Sequence, residues 1–87
     1  MYDVRIERST LRQLNRLPES VRAAALATIF GPISENPARA GKALVGEFRG
    51  MRSARRGDYR IIYEVDDNAE VVIIHRVQHR RHVYRPA

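Results

Sequence analysis

Sixteen basic residues stand against ten acidic ones, for a formal net charge of +6, and all but one of the sixteen are arginine; the exception is Lys42. The arginines cluster. Arg55, Arg56 and Arg60 fall in the stretch 49–60, which holds five arginines and one acid, while Arg76, Arg80 and Arg81 follow an apolar run together with His79 and Tyr84. A guanidinium presents a rigid fork that grips phosphate bidentately, and it stacks on bases. An imidazole titrates near neutrality, and a phenol both stacks and moves protons. If the last long strand lies beside the hairpin that carries the first group, the two clusters converge on one face. Such a face suits phosphodiester chemistry, with arginine stabilising charge on the scissile phosphate and His or Tyr moving protons. RNA brings its own nucleophile in the 2′-hydroxyl, so the chemistry needs no metal. A basic docking surface without turnover would use the same residues, and the pattern alone leaves both open.

Other chemistries find little support. With no cysteine there is no thiolate nucleophile, disulfide framework or cysteine metal site. His75, His79 and His82 lie close together without a carboxylate among them, so no metal and no cofactor is expected. There is no Gly-x-Ser-x-Gly nucleophile turn and no Gly-rich phosphate loop. The paired acids Asp66 and Asp67 read as a solvated turn.

The clusters need a scaffold, and the stretch Met51 to Val65 supplies its centre. It reads as two strands around a tight turn, in which Gly57 enters positive φ freely and Asp58 tolerates a turn position. Side chains alternate across a strand. Tyr59, Ile61, Tyr63 and Val65 therefore line a core, and Asp58, Arg60, Ile62 and Glu64 face the other way, Arg60 one strand from Arg55 or Arg56. Tyr2 to Glu7 alternates as a half-buried strand. Thr10 with Gln13 fits a capping box ahead of a stripe of Leu11, Leu14 and Leu17. Pro18 closes that helix and opens a second, from about Glu19 to near Ile33, whose last turn Gly31-Pro32 must bend or break. Ser34 to Ala43 reads as a loop and Leu44 to Phe48 as the start of a short strand. Val71 to Ile74 is a continuous apolar run, consistent with a central strand. This order predicts one α+β domain over 1–87 in two layers: an N-terminal strand, a helical hairpin packed on one face, then a mostly antiparallel sheet of three or four further strands.

At 87 residues and 44% hydrophobic, the chain is long enough for a small folded domain and is not of disordered composition. A small core and a high charge favour an acidic or nucleic-acid partner. The opening residues carry no signal-type apolar segment, and the longest uncharged apolar stretch, Ala23 to Ile33, is far short of a membrane span. A cytoplasmic location without membrane contact is expected.

At this point the residues resemble a known family. Gly57-Asp58-Tyr59-Arg60-Ile61-Ile62-Tyr63-Glu64-Val65 followed by Asp66-Asp67, and the ending Val77-Gln78-His79-Arg80-Arg81-His82-Val83-Tyr84-Arg85, look like the signature of the RelE/ParE toxin superfamily, in its RelE branch. Leu17-Pro18, Asn36-Pro37 and Gly41-Lys42-x-Leu44 match its spacing. The resemblance implies the toxin of a type II toxin–antitoxin pair, a ribosome-dependent endoribonuclease that cleaves mRNA by attack of the 2′-hydroxyl on the adjacent phosphate. It implies as partners a RelB-like antitoxin with an acidic C-terminal segment, the ribosome and mRNA, with DNA reached only through the antitoxin.

By position, Arg60 matches a substrate-phosphate arginine, Arg80 a second catalytic arginine that helps the leaving group, and Tyr84 a C-terminal tyrosine that acts as base or stacking platform. Arg55 matches a supporting basic residue, and Arg56, Arg76 and Arg81 complete the expected RNA-binding set. The chain departs from the pattern where RelE enzymes carry lysines before the turn, having Met51 and Ser53 there. Neither can transfer a proton as a lysine can, and His79 is the natural substitute. Two alternatives remain: a ParE-like protein that poisons gyrase without nuclease activity, and a degenerate member that only binds antitoxin or ribosome.

Overall fold

The computed structural model describes residues 1–79 and 81. Strand β1 (Asp3–Ile6) is followed by helices α1 (Arg8–Arg16) and α2 (Glu19–Thr28), a wide helical turn over Ile29–Ile33, and a one-turn helix α3 (Pro37–Ala40). The short strand β2 (Lys42–Ala43), a tight turn at Gly46–Phe48 and the strands β3 (Arg52–Arg56), β4 (Tyr59–Asp66) and β5 (Val71–His79) complete it. The five strands form one sheet in the order β1-β5-β4-β3-β2. Only the β1–β5 pair is parallel; the other pairs are antiparallel. This is the expected α+β architecture, with four strands after the helices.

The helices lie on one face of the sheet. Leu14, Ala25, Ile29 and Ile33 meet Ala54, Ile61, Tyr63, Val72, Ile74 and Val77 in the core. Alternation holds through β4, since Ile61 and Tyr63 join this core while Arg60 and Glu64 do not. Ile62 faces away from the helices and is nevertheless fully buried, opposite Arg76 on β5. The Arg76 guanidinium lies 5.6 Å from the centre of the Phe48 ring, a cation–π distance. Gly57, at φ +59°, opens the two-residue turn between β3 and β4 as the geometry of such hairpins requires.

Thr10 and Gln13 form no capping box. The α1 N-cap is Glu7, without a side-chain cap bond, and both polar residues serve the sheet. The β1 ladder ends at Ile6 opposite Ile74, which leaves the backbone of β5 beyond that point without a neighbouring strand on that side. The buried Thr10 hydroxyl lies 2.7 Å from the His75 carbonyl and 3.2 Å from that of Ile74, and Gln13 Oε1 accepts from Val77 N–H at 3.0 Å. Helix α1 thus replaces a missing strand, because buried backbone groups must find partners. The β4–β5 register slips here, from Ile62↔Arg76 to Tyr63↔Ile74, which makes His75 the extra residue of a bulge. Its imidazole is held between Glu7, at Nδ1, and Glu64, 3.0 Å from Nε2.

The deformation expected at Gly31-Pro32 is present: helix α2 stops at Thr28 and continues as the wide turn, because Pro32 lacks the N–H and crowds the carbonyl one turn back. Two other local expectations are corrected. The segment expected as a loop contains α3, which has Pro37 in its first turn and Asn36 as N-cap accepting from Arg39 N–H. The short strand is Lys42–Ala43, and Gly46–Phe48 is a helical turn rather than a strand.

Candidate functional site

Two strands and a short edge build a basic concavity on the sheet face away from the helices. Arg55 on β3 stands directly across from Arg60 on β4. Arg60 in turn faces Gln78 on β5, and Arg76 lies two residues back along the same face. On the other side, Lys42 pairs with Ser53 and Ser53 with Ile62. The concavity, of about 600 Å³, is lined by Arg39, Lys42, Ser53, Arg55 and Arg60 with the small residues Ala40 and Gly41 and Leu44. No carboxylate stands among these lining residues. A face of this kind concentrates positive potential, and anions are its natural ligands.

The edge that carries Lys42 is fixed from below. Tyr63, wholly buried, donates its hydroxyl to the Pro37 carbonyl at 2.6 Å. Arg52 donates to the carbonyls of Ala38 and Gly41 at 2.7 and 2.8 Å. Gly41 is obligatory at this junction: a Cβ there would fall 2.6 Å from Tyr63 Oη and 2.7 Å from the Ser53 carbonyl oxygen. Burial pushes the Tyr63 phenol above its ordinary pKa of 10.0, against the opposing pull of the Arg52 guanidinium. Far from the concavity, the hydrogen bond to Asp67 raises the Tyr2 phenol as well.

The sequence-predicted residues divide. Arg55, Arg60 and Arg76 share the open face. Arg56 does not: it pairs with Tyr59 and lines a different cleft, of about 420 Å³, between α2 and the β3–β4 turn. His79 also pairs with Tyr59, and the two rings meet edge to face at 5.4 Å. The expected convergence of both clusters on one face is therefore corrected: strand parity sends His79 and Arg56 to the helix side and Arg60 to the other. Arg81 donates its backbone N–H to His79 Nδ1 at 3.3 Å. Arg80 and Tyr84 lie outside the described residues. Among the described residues no group of three His, Cys, Asp or Glu side chains is placed to hold a metal ion, and no helix is long and apolar enough to cross a membrane.

Lys42, Arg39 and Ser53 are not among the site residues expected from the sequence. Lys42 stands out there as the single lysine and within the Gly41-Lys42-x-Leu44 spacing, and Ser53 as a departure from the family's lysines, but neither is placed at a site. A two-residue strand has no periodicity from which its register, and hence its neighbours, can be read.

Known proteins similar to this chain in sequence and in shape agree with one another. Residues 4–84 match the family model described as ParE toxin of type II toxin-antitoxin system, parDE. The chain is 44% identical over 84 residues to Toxin RelE of Mycobacterium tuberculosis (strain ATCC 25618 / H37Rv), covering 97% of this chain and 87% of that one. The crystal structure of the toxin-antitoxin complex RelBE2 from the same species superposes with a TM-score of 0.86 at 44% identity, over 90% of each chain. The intact Escherichia coli RelBE toxin-antitoxin complex shares the fold at 22% identity, with a TM-score of 0.76 over 91% of this chain and 96% of that one. The chain belongs to the RelE/ParE family of type II toxin–antitoxin toxins and is of the RelE type.

Proposed function

We propose that the chain is a ribosome-dependent endoribonuclease that cleaves mRNA without a catalytic metal, inhibits translation, and is neutralised by a RelB-like antitoxin with an acidic segment. One observation carries this reading: two arginines face each other directly across β3 and β4, at the floor of a concavity whose lining residues include no carboxylate. Two guanidiniums opposite each other on a sheet attract an anion to the space between them. The phosphodiester backbone is the anion that fits the family resemblance. In the reaction the mRNA 2′-hydroxyl attacks the adjacent phosphorus and loses its proton to solvent or a neighbouring base. The bond to the 5′-oxygen breaks and that oxygen takes up a proton from solvent, leaving a 2′,3′-cyclic phosphate and a 5′-hydroxyl. Arg60 and Arg55 stabilise the charge on the non-bridging oxygens. By the resemblance, Arg80 helps the leaving group and Tyr84 stacks on a base. Arg76 lengthens the RNA track, and Arg56 and Arg81 add charge at its margins. His79, turned to Tyr59, is assigned to anchoring the end of β5.

The RelBE complexes of relatives support the antitoxin partner, and the acidic segment follows from the net charge of +6. The test is incubation with ribosomes carrying a defined mRNA, with one substrate bearing a single 2′-deoxynucleotide at the cleaved position. Cleavage of the ribose substrate and not of the deoxy substrate is expected. The match to a ParE toxin model supports a second reading, gyrase poisoning. Loss of supercoiling activity with intact mRNA would establish that reading instead.

A further inference from the structure

We propose that Lys42, the chain's one lysine, is a third cation acting on the scissile phosphate together with Arg55 and Arg60; the inference rests on the nuclease reading above. Three observations carry it. Lys42 is exposed and lines the same concavity as Arg55 and Arg60. Its register fixes where it stands: it lies across from Ser53 on β3, two residues from Arg55. Lys42 and Arg60 are therefore two strand spacings and two residues apart, roughly 12 Å between Cα atoms, a span that two long side chains reaching over the face can close on one phosphate. Third, the edge is fixed rather than trailing. Tyr63 holds the Pro37 carbonyl, Arg52 holds those of Ala38 and Gly41, and Gly41 sits against Tyr63 with no room for a side chain. A two-residue strand is a poor element by itself, and these contacts give its lysine a defined position.

The chemistry differs from that of a third arginine. Arg55 and Arg60 offer planar forks suited to a pair of oxygens. An ammonium is a compact point charge with three rotatable donors, which follows a phosphate as its geometry changes towards five-coordinate phosphorus. On the helix side of the sheet, His79 cannot serve this phosphate, so Lys42 is the described lining residue that adds a cation of another geometry.

The register itself supplies the test. Cross-strand Cβ atoms are about 5 Å apart, so moving the amine from Lys42 to position 53 returns it to the same part of the concavity by a different strand. Single-turnover cleavage of ribosome-bound mRNA is measured for wild type, Lys42→Ala, Lys42→Arg, Ser53→Lys and the double variant Lys42→Ala/Ser53→Lys. Arg16→Ala, an exposed residue at the end of α1, serves as a control for net charge, and melting temperature serves as a control for folding. The expected result is a loss of about a hundredfold in Lys42→Ala, a rate within about tenfold of wild type in Lys42→Arg, recovery of at least tenfold over Lys42→Ala in the double variant, and an unchanged rate in Arg16→Ala. Wild-type cleavage by a folded Lys42→Ala protein overturns the proposal. So does a double variant no better than Lys42→Ala while Ser53→Lys alone is active, which would mark Lys42 as a structural residue. If the wild-type protein leaves ribosome-bound mRNA intact, the nuclease reading fails and this inference with it.

Discussion

Arg55 and Arg60 are direct cross-strand partners on the face of the sheet that the helices leave open. Two guanidiniums in this relation repel each other. Replacing one with a neutral strand former should therefore relieve the fold while damaging the function. Arg55→Thr is expected to unfold at equal or higher urea concentration than wild type and to cleave mRNA more slowly. A large loss of stability in Arg55→Thr would show that the pair is structural.

The docking of α1 rests on Thr10 and Gln13. Thr10→Val keeps the shape and removes the hydroxyl that serves the carbonyls of Ile74 and His75. The Ile74 carbonyl keeps the Glu7 N–H, so the loss falls on the His75 carbonyl, and leaving that acceptor without its donor should cost about 1–3 kcal/mol. Urea denaturation of Thr10→Val measures this, and a change below about 0.5 kcal/mol would contradict the account of α1 as a substitute strand.

Gly41→Ala drives a Cβ into Tyr63 Oη and the Ser53 carbonyl. The expected cost is about 1–3 kcal/mol, as for overpacking elsewhere, with reduced cleavage because Lys42 moves with the edge. Tyr63 also makes a prediction at high pH. Its folded-state pKa is raised above 10.0 by burial, so the folded protein holds this proton more tightly than the unfolded chain. The contribution is complete below pH 10 and is lost as pH rises through the higher folded value. Between pH 9 and 11, Tyr63→Phe should lose stability less steeply than wild type, though it starts lower for want of the bond to Pro37. The raised Tyr2 phenol contributes in the same direction and remains in both proteins, so the difference in slope isolates Tyr63. Parallel slopes would contradict a buried, neutral phenol.

How much of this was legible in the sequence follows from periodicity. The eight-residue β4 announced its two faces by alternation, and so the position of Arg60 opposite the Tyr59-Ile61-Tyr63 core was readable. Long apolar stripes likewise announced both helices. What was not legible depended on pairing. The same alternation rule that placed Arg60 also governs His79, but only the β4–β5 register, offset by the bulge at His75, reveals that His79 falls opposite Tyr59. Thr10 and Gln13 have the spacing of a capping box, and tertiary need took their hydrogen bonds to β5 instead. The Lys42 edge is too short to carry a pattern, and its position follows from contacts with residues more than ten positions away.

The tail can be tested through its side chains. If Tyr84 stacks on a base, Tyr84→Phe keeps most of the cleavage rate, whereas Tyr84→Ala loses about 1–3 kcal/mol of interaction. Equal loss in both would assign proton transfer to the phenol. His79→Ala should leave the shape of the pH–rate profile unchanged, since the imidazole packs on Tyr59 away from Arg60; a vanished limb near neutral pH would restore it as a proton carrier.

In the proposed reaction Arg60 holds the scissile phosphate of ribosome-bound mRNA. The most direct measurement is single-turnover cleavage of mRNA on purified ribosomes by wild type and Arg60→Ala, with folding verified by thermal melting. Loss of a charge-assisted contact in the transition state predicts a rate reduced about a hundredfold or more in a protein that still melts cooperatively near the wild-type temperature. A folded Arg60→Ala protein that cleaves at the wild-type rate would contradict it.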